Sequence, residues 1–141
     1  MPFELRPNPA RRLRPEDNYL QSAWNNSVYP LAKQMGVVMV LPKVSPQPYS
    51  HLAFEGYQHA LEHGKANEYN FRIFEAFFQE EQDIGRVDVL SELAADVGLD
   101  PDSFYKDLET RKYQETHQQA LHHAYHEAGI SAVPTFHLGE L

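Results

Sequence analysis

The chain has 141 residues, a net charge of −8, and a composition that is 42% hydrophobic and 12% aromatic. This length and aromatic content predict one folded domain with its own core and argue against a disordered chain. The negative charge argues against nucleic-acid and membrane partners, because both surfaces need clustered lysines and arginines. The one basic cluster, at Arg6, Arg11, Arg12 and Arg14, is interpreted as a solvated arm.

Cysteine is absent from the chain. By itself the chain therefore cannot exchange a disulfide or bind a metal through thiolates, and we predict no cofactor. No apolar run approaches the roughly 20 residues of a membrane-spanning helix, and no signal-peptide pattern is visible after Met1. We therefore expect a cytoplasmic protein.

The first 15 residues are rich in proline and are predicted to be non-helical. Residues 16–35 are predicted to be helical, with a kink near residues 27–29 caused by Pro30, and Gly36 is predicted to end the helix. Residues 37–41 are β-branched or apolar. They fit a β-strand and a buried extended connector equally well.

Helices are predicted over most of residues 50–129, with Ser50 and Asn67 as N-caps of the first two. The second helix carries a broad aromatic face that is predicted to lie in the core, formed by Tyr69, Phe71, Ile73, Phe74, Phe77 and Phe78. Further helices are predicted over residues 87–97, after Asp100 and Pro101, and over residues 111–127. Residues 132–138 alternate in polarity and predict a strand.

Five short segments occur in a recognisable order along nearly the whole chain. They are PFELRP at 2–7, FRIFEAFF at 71–78, QDI with VL at 82–90, LA with VGLD at 93–100, and GI with VPTF at 129–136. In this order and spacing the chain resembles the DsbA-type thioredoxin-like oxidoreductases, in particular the cytoplasmic FrnE-like branch.

The resemblance implies a mainly α fold: the helical insertion region of a DsbA-like thioredoxin fold with remnants of the sheet, an incomplete thioredoxin α/β core. It implies one partial domain over residues 1–141. Residues 1–15 would be a strand remnant and a proline- and arginine-rich arm, residues 16–129 the helical region, and residues 130–141 a cis-proline-type loop and strand.

The family's Cys-x-x-Cys segment and its C-terminal strand and helix have no counterpart in this sequence. The strand remnants then lack their common neighbour, and their backbone groups would be unpaired. We therefore predict a homo-oligomer that covers the incomplete sheet.

Val133, Pro134 and Thr135 are the predicted substrate-binding residues. In the resembled family this proline is cis, and its loop pairs with the backbone of a bound peptide. An ordinary trans proline at a strand start is the alternative.

His122 and His126 are four residues apart on a predicted helix, a spacing that metal ligands use. No third ligand is fixed by the spacing, and cysteine is absent. We therefore interpret this face as polar and solvated, predict no metal site, and keep the pair as a candidate.

The resemblance implies a thiol–disulfide oxidoreductase, whereas the absence of cysteine predicts that this chain is inert in dithiol chemistry, with no catalytic residue. One alternative is a non-catalytic helical module that binds a peptide or protein partner. Another is a remnant of a glutathione-dependent isomerase of the same fold, whose catalytic position would also lie outside this chain. A glutathione-binding titration discriminates the isomerase from the others.

Overall fold

The structure is a computed structural model that describes residues 1–136 and 138–139. The fold is mainly α, as predicted. The helices are α1 (Asn18–Ala23), α2 (Tyr29–Met35), α3 (His51–Glu62), α4 (Ala66–Phe78), α5 (Val87–Asp96), α6 (Pro101–Glu109) and α7 (Gln114–His122). Two π-helical segments, Trp24–Val28 and His123–Glu127, follow α1 and α7. None of the helices in the described part is long and apolar enough to cross a membrane.

At the kink predicted near residues 27–29, a π-helical segment joins α1 to α2. Pro30 lies in the first turn of α2, directly after the π-helical segment. Gly36 adopts a left-handed φ of 71° and ends α2, as predicted.

The core lies where α3, α4, α5 and α6 pack together. Tyr69, Leu90 and Phe104 are each at most 1% exposed there, and the Tyr69 hydroxyl donates to the carbonyl oxygen of Ala53 at 2.8 Å. Burial of large side chains at this density is the main stabilising contribution to a helical domain of this size.

The prediction that the whole aromatic face of α4 lies in the core is wrong. Tyr69 and Ile73 are buried, but Phe71 is 75% exposed and Phe74 is 59% exposed. Successive residues on a helix are about 100° apart. Tyr69 and Ile73 therefore face α3 and α5, while Phe71 and Phe74 lie on the opposite side.

The predicted helix starts are partly confirmed. The carboxylate of Asp100 accepts a hydrogen bond from the backbone N–H of Ser103 at 3.3 Å, so it caps α6. Ser50 is the N-cap residue of α3 without a capping hydrogen bond. The Asn67 prediction is wrong, because α4 begins at Ala66 and Lys65 is its N-cap.

No β-strand occurs in residues 1–136 and 138–139, so the strands predicted for the N-terminal remnant and for residues 37–41 are absent. Residues 132–136 are irregular as well, and His137, in the third predicted strand, lies outside the described residues. The reason is that a strand needs a neighbouring strand to pair with. The alternative of a buried connector at residues 37–41 is also wrong, because Val38 is 68% exposed.

Candidate functional site

Five ionisable side chains meet where the N-terminal residues cross α3 and α7. We call Glu4, His51, Glu55, Arg111 and His117 the polar cluster. They line a cavity of about 260 Å³ together with Gln114 and Gln118. Glu4, Glu55 and His117 are between 1% and 5% exposed, which is rare for such groups unless they are paired.

Glu4 fixes the N-terminal residues against α7. Its Oε2 atom lies 2.8 Å from Nε2 of His117, and its Oε1 atom accepts from the hydroxyl of Ser50 at 3.4 Å. The backbone carbonyl of Glu4 accepts a hydrogen bond from the hydroxyl of Tyr125. Burial of the phenol raises the pKa of Tyr125, and the nearby carboxylate of Glu4 adds to this rise.

Glu55 and Arg111 form a bidentate ion pair. Nε and one terminal nitrogen of Arg111 donate to the two carboxylate oxygens of Glu55 at 2.9 and 2.7 Å. The hydrogen bond to Glu55 raises the pKa of Arg111. Arg111 has a left-handed φ of 56° in the turn before α7, and this turn brings its side chain back to α3.

The two histidines of the cluster differ in their contacts. The ring of His117 stacks on Phe54 with centroids 5.1 Å apart, and its Nε2 atom meets Glu4. Burial lowers the pKa of His51, and the positive charge of Arg111 lowers it further. Nδ1 of each histidine is buried and has no hydrogen-bond partner in the described part of the chain.

The side chains of the polar cluster hold separate segments of the chain in position. Its carboxylates are already engaged by Arg111 and His117, and the hydroxyls of Ser50 and Tyr125 beside it both donate to Glu4. No thiol is present in the chain. The arrangement therefore ties the N-terminal residues to α3 and α7.

The predicted binding residues lie just after the helical region. The Val133–Pro134 peptide bond is cis, and Val133, Pro134 and Thr135 are all exposed. Ile130 anchors the start of this loop, since it is buried and its N–H donates to the carbonyl of Ala124 at 2.9 Å. Residues 131–136 make no backbone–backbone hydrogen bond to other described residues.

The candidate metal pair is brought together, but without further ligands. The rings of His122 and His126 are 4.5 Å apart in an edge-to-face arrangement. Nδ1 of His123 is hydrogen-bonded to the carboxylate of Glu127, and this bond lowers the pKa of Glu127. Within the described ranges no three His, Asp or Glu side chains are placed to hold a metal ion.

The family model for the DSBA-like thioredoxin domain matches residues 2–140 of the chain. The chain belongs to this family. It is also similar to YwbO, an uncharacterized protein of Bacillus subtilis (strain 168). The two are 54% identical over an alignment of 141 positions, which covers 99% of this chain and 70% of the relative. The helices described above are thus the helical region of a DSBA-like thioredoxin domain.

Sequence reasoning missed the polar cluster of this DSBA-like chain. Glu4 and His117 are 113 residues apart, and Glu55 and Arg111 are 56 residues apart, so no local spacing predicts either pair. One signal was present: Glu4 interrupts an apolar N-terminal run, between Phe3 and Leu5, at a position that the fold buries.

Proposed function

We propose that this DSBA-like chain binds an extended polypeptide along Val133–Thr135 and does not itself exchange disulfides. The observation that carries the proposal is the open backbone of this loop in a chain of this family. Residues 131–136 are exposed and make no backbone–backbone hydrogen bond to other described residues.

An exposed segment with unpaired N–H and C=O groups can pair with a second extended chain. Pro134 has no N–H, so Val133 and Thr135 supply the backbone donors around it. The hydroxyl of Thr135 is engaged by the carbonyl of Ala132. A bound peptide would therefore accept a hydrogen bond from the backbone N–H of Thr135.

Disulfide exchange needs a thiolate that attacks a sulfur atom. The chain has no cysteine and so supplies no thiolate for this attack. Its part in the family's chemistry is therefore to hold a substrate. We also propose that the chain belongs to the FrnE-like branch, a proposal supported by the order and spacing of the five segments between residues 2 and 136.

The test is the binding of a fluorescein-labelled insulin B chain whose cysteines have been carboxymethylated, followed by fluorescence anisotropy. We expect saturable binding by the unaltered chain. Thr135→Pro removes the backbone donor and should weaken binding about tenfold, the equivalent of one or two hydrogen bonds. Thr135→Ala keeps the donor and should bind as the unaltered chain does.

The same sample should leave the reduction of intact insulin by dithiothreitol at its uncatalysed rate. Equal binding by the Thr135→Pro and Thr135→Ala variants would refute the loop as the binding site. An accelerated reduction would refute the absence of exchange.

We further propose that the chain forms a homo-oligomer. Phe71, Phe74 and Val38 are 59% to 75% exposed, and they line one open apolar groove of about 490 Å³. Exposed apolar area of this kind usually marks an interface. A second copy would cover it by pairing the same face with itself.

A further inference from the structure

A second cavity is lined by residues that are distant in sequence from the binding loop at residues 133–135. It measures about 240 Å³. It is lined by the N-terminal arm, by α1, by the segment that precedes α3, and by α4. We call it the arginine–aromatic cavity. Its lining is Arg6, Arg12, Leu13, Leu20, Trp24, Leu41, Gln47, Pro48, Tyr49, Phe77 and Phe78.

The arm is held in place over this cavity. The hydroxyl of Tyr49 donates to the carbonyl of Ala10 at 2.6 Å, and the N–H of Gln47 donates to the carbonyl of Leu13 at 2.7 Å. These bonds join two segments that are more than 30 residues apart in sequence. The cavity is therefore formed before any ligand arrives, which lowers the entropic cost of binding.

The interior of the cavity is aromatic and apolar. Trp24 is 8% exposed, and its ring lies 6.1 Å from that of Phe78, which in turn lies 4.9 Å from that of Phe77. Such walls favour a flat apolar group, by area burial and by edge or offset contacts between rings.

The side chains that line this cavity carry a positive net charge, whereas the chain as a whole carries a negative one. Arg12 lies 5.2 Å above the ring of Tyr49 and Arg6 lies 6.0 Å above that of Tyr19. Neither guanidinium is within ion-pair distance of a carboxylate in the described part of the chain, and no Asp or Glu lines the cavity. This is notable in a chain with 20 acidic and 12 basic residues.

We propose that the arginine–aromatic cavity binds a small carboxylate with an apolar, preferably aromatic, body. The ring would lie against Trp24 and Phe78, and the carboxylate would pair with Arg6 and Arg12. A guanidinium matches a carboxylate through two parallel N–H···O bonds. This site is separate from the peptide-binding loop, none of whose residues lines it.

Trp24 is the one tryptophan of the chain and reports directly on the cavity. The experiment titrates its fluorescence with 3-phenylpropionate and, separately, with 3-phenylpropanamide, which has the same shape and no charge. We expect a saturable change with the carboxylate, with a Kd of about 1 mM or below. The amide should bind about tenfold more weakly, because it lacks the charge-assisted bonds.

Arg6→Gln and Arg12→Gln should each weaken binding of 3-phenylpropionate about fivefold or more. Arg11→Gln is the matched control, since Arg11 belongs to the same arm, is exposed, and does not line the cavity. It should bind as the unaltered chain does. Far-ultraviolet circular dichroism of each variant establishes that the helices are intact.

Three outcomes would overturn the proposal. They are a titration without saturation, equal binding of the acid and the amide, and an equal loss of affinity in the Arg11→Gln control. The last two would assign the fluorescence change to apolar or non-specific charge effects instead of to paired arginines.

Discussion

His51 is the residue of the polar cluster whose charge state the fold controls most clearly. It lies at the start of α3, and the ionisable groups around it are Glu4, Glu55, Arg111 and His117. Burial is the largest cause of its lowered pKa, so the folded chain favours the neutral imidazole. Glu55 differs, because the guanidinium of Arg111 contacts both of its carboxylate oxygens where the side chain is only 1% exposed.

The lowered pKa of His51 makes the stability of the fold depend on pH. The ordinary pKa of histidine is 6.5. As the pH falls below this value, the unfolded chain binds a proton at His51 more readily than the folded chain does. The contribution of His51 to the free energy of unfolding is therefore complete above pH 6.5 and is lost as the pH falls below it. Urea unfolding between pH 7.5 and 5 should show this loss.

His51→Asn removes the titrating group and should flatten the pH dependence of the unfolding midpoint. His126→Asn, at an exposed histidine, should retain it. A slope that is the same in all three proteins would show that other groups cause the dependence.

At the scale of elements, α3 and α4 are held together by close contact at Gly56. A Cβ atom at this position would lie 2.3 Å from the hydroxyl oxygen of Tyr69 and 2.6 Å from Cζ of Phe104. Both of those rings are at most 1% exposed and cannot move aside without disturbing the core. The glycine thus sets how closely α3 approaches α4 and α6.

Gly56→Ala should destabilise the chain by about 2 kcal/mol. Alanine gains about 1 kcal/mol of helix propensity over glycine, but the overpacking costs about 3 kcal/mol, so the clash wins. The control is Asn67→Ala on the exposed part of α4, which should change stability by less than about 0.5 kcal/mol. A Gly56→Ala variant as stable as the unaltered chain would contradict the close approach.

Local signals predicted the parts of the fold that depend on local contacts. Asp100 before Pro101 predicted the start of α6, and Gly36 predicted the end of α2, because caps involve residues a few positions apart. The strand predicted at residues 37–41 failed because pairing depends on a distant neighbour, and Val40 finds a single backbone bond, to Phe78.

One part of the candidate site could likewise be predicted from the sequence, and another part could not. The segment GI with VPTF indicated Val133, Pro134 and Thr135 through its resemblance to a family motif. The pairing of Glu4 with His117 depends on how the N-terminal residues cross α7, and a single sequence holds no record of that contact.

At the scale of the whole molecule, the apolar groove beside α4 predicts self-association. The mass of one chain is 16.3 kDa, and light scattering at micromolar concentration should give a multiple of it. A double variant, Phe71→Ser with Phe74→Ser, should return the mass of one chain, because it removes the two exposed rings. Leu61→Ser should leave the oligomer intact, because Leu61 is an exposed apolar residue on α3 and not on α4.

A mass of 16.3 kDa for the unaltered chain would refute the oligomer. A single-chain mass for the Leu61→Ser variant would place the interface elsewhere, on the face that α3 presents.

Hydrogen–deuterium exchange in the presence of the carboxymethylated insulin B chain tests the central claim most directly. The account predicts slower exchange of the backbone amides of Val133 and Thr135 at saturating peptide, with the amides of α5 unchanged, since a bound strand would pair with the former and not contact the latter. Unchanged exchange at residues 131–136 under saturating peptide would contradict the proposal that this loop holds the polypeptide.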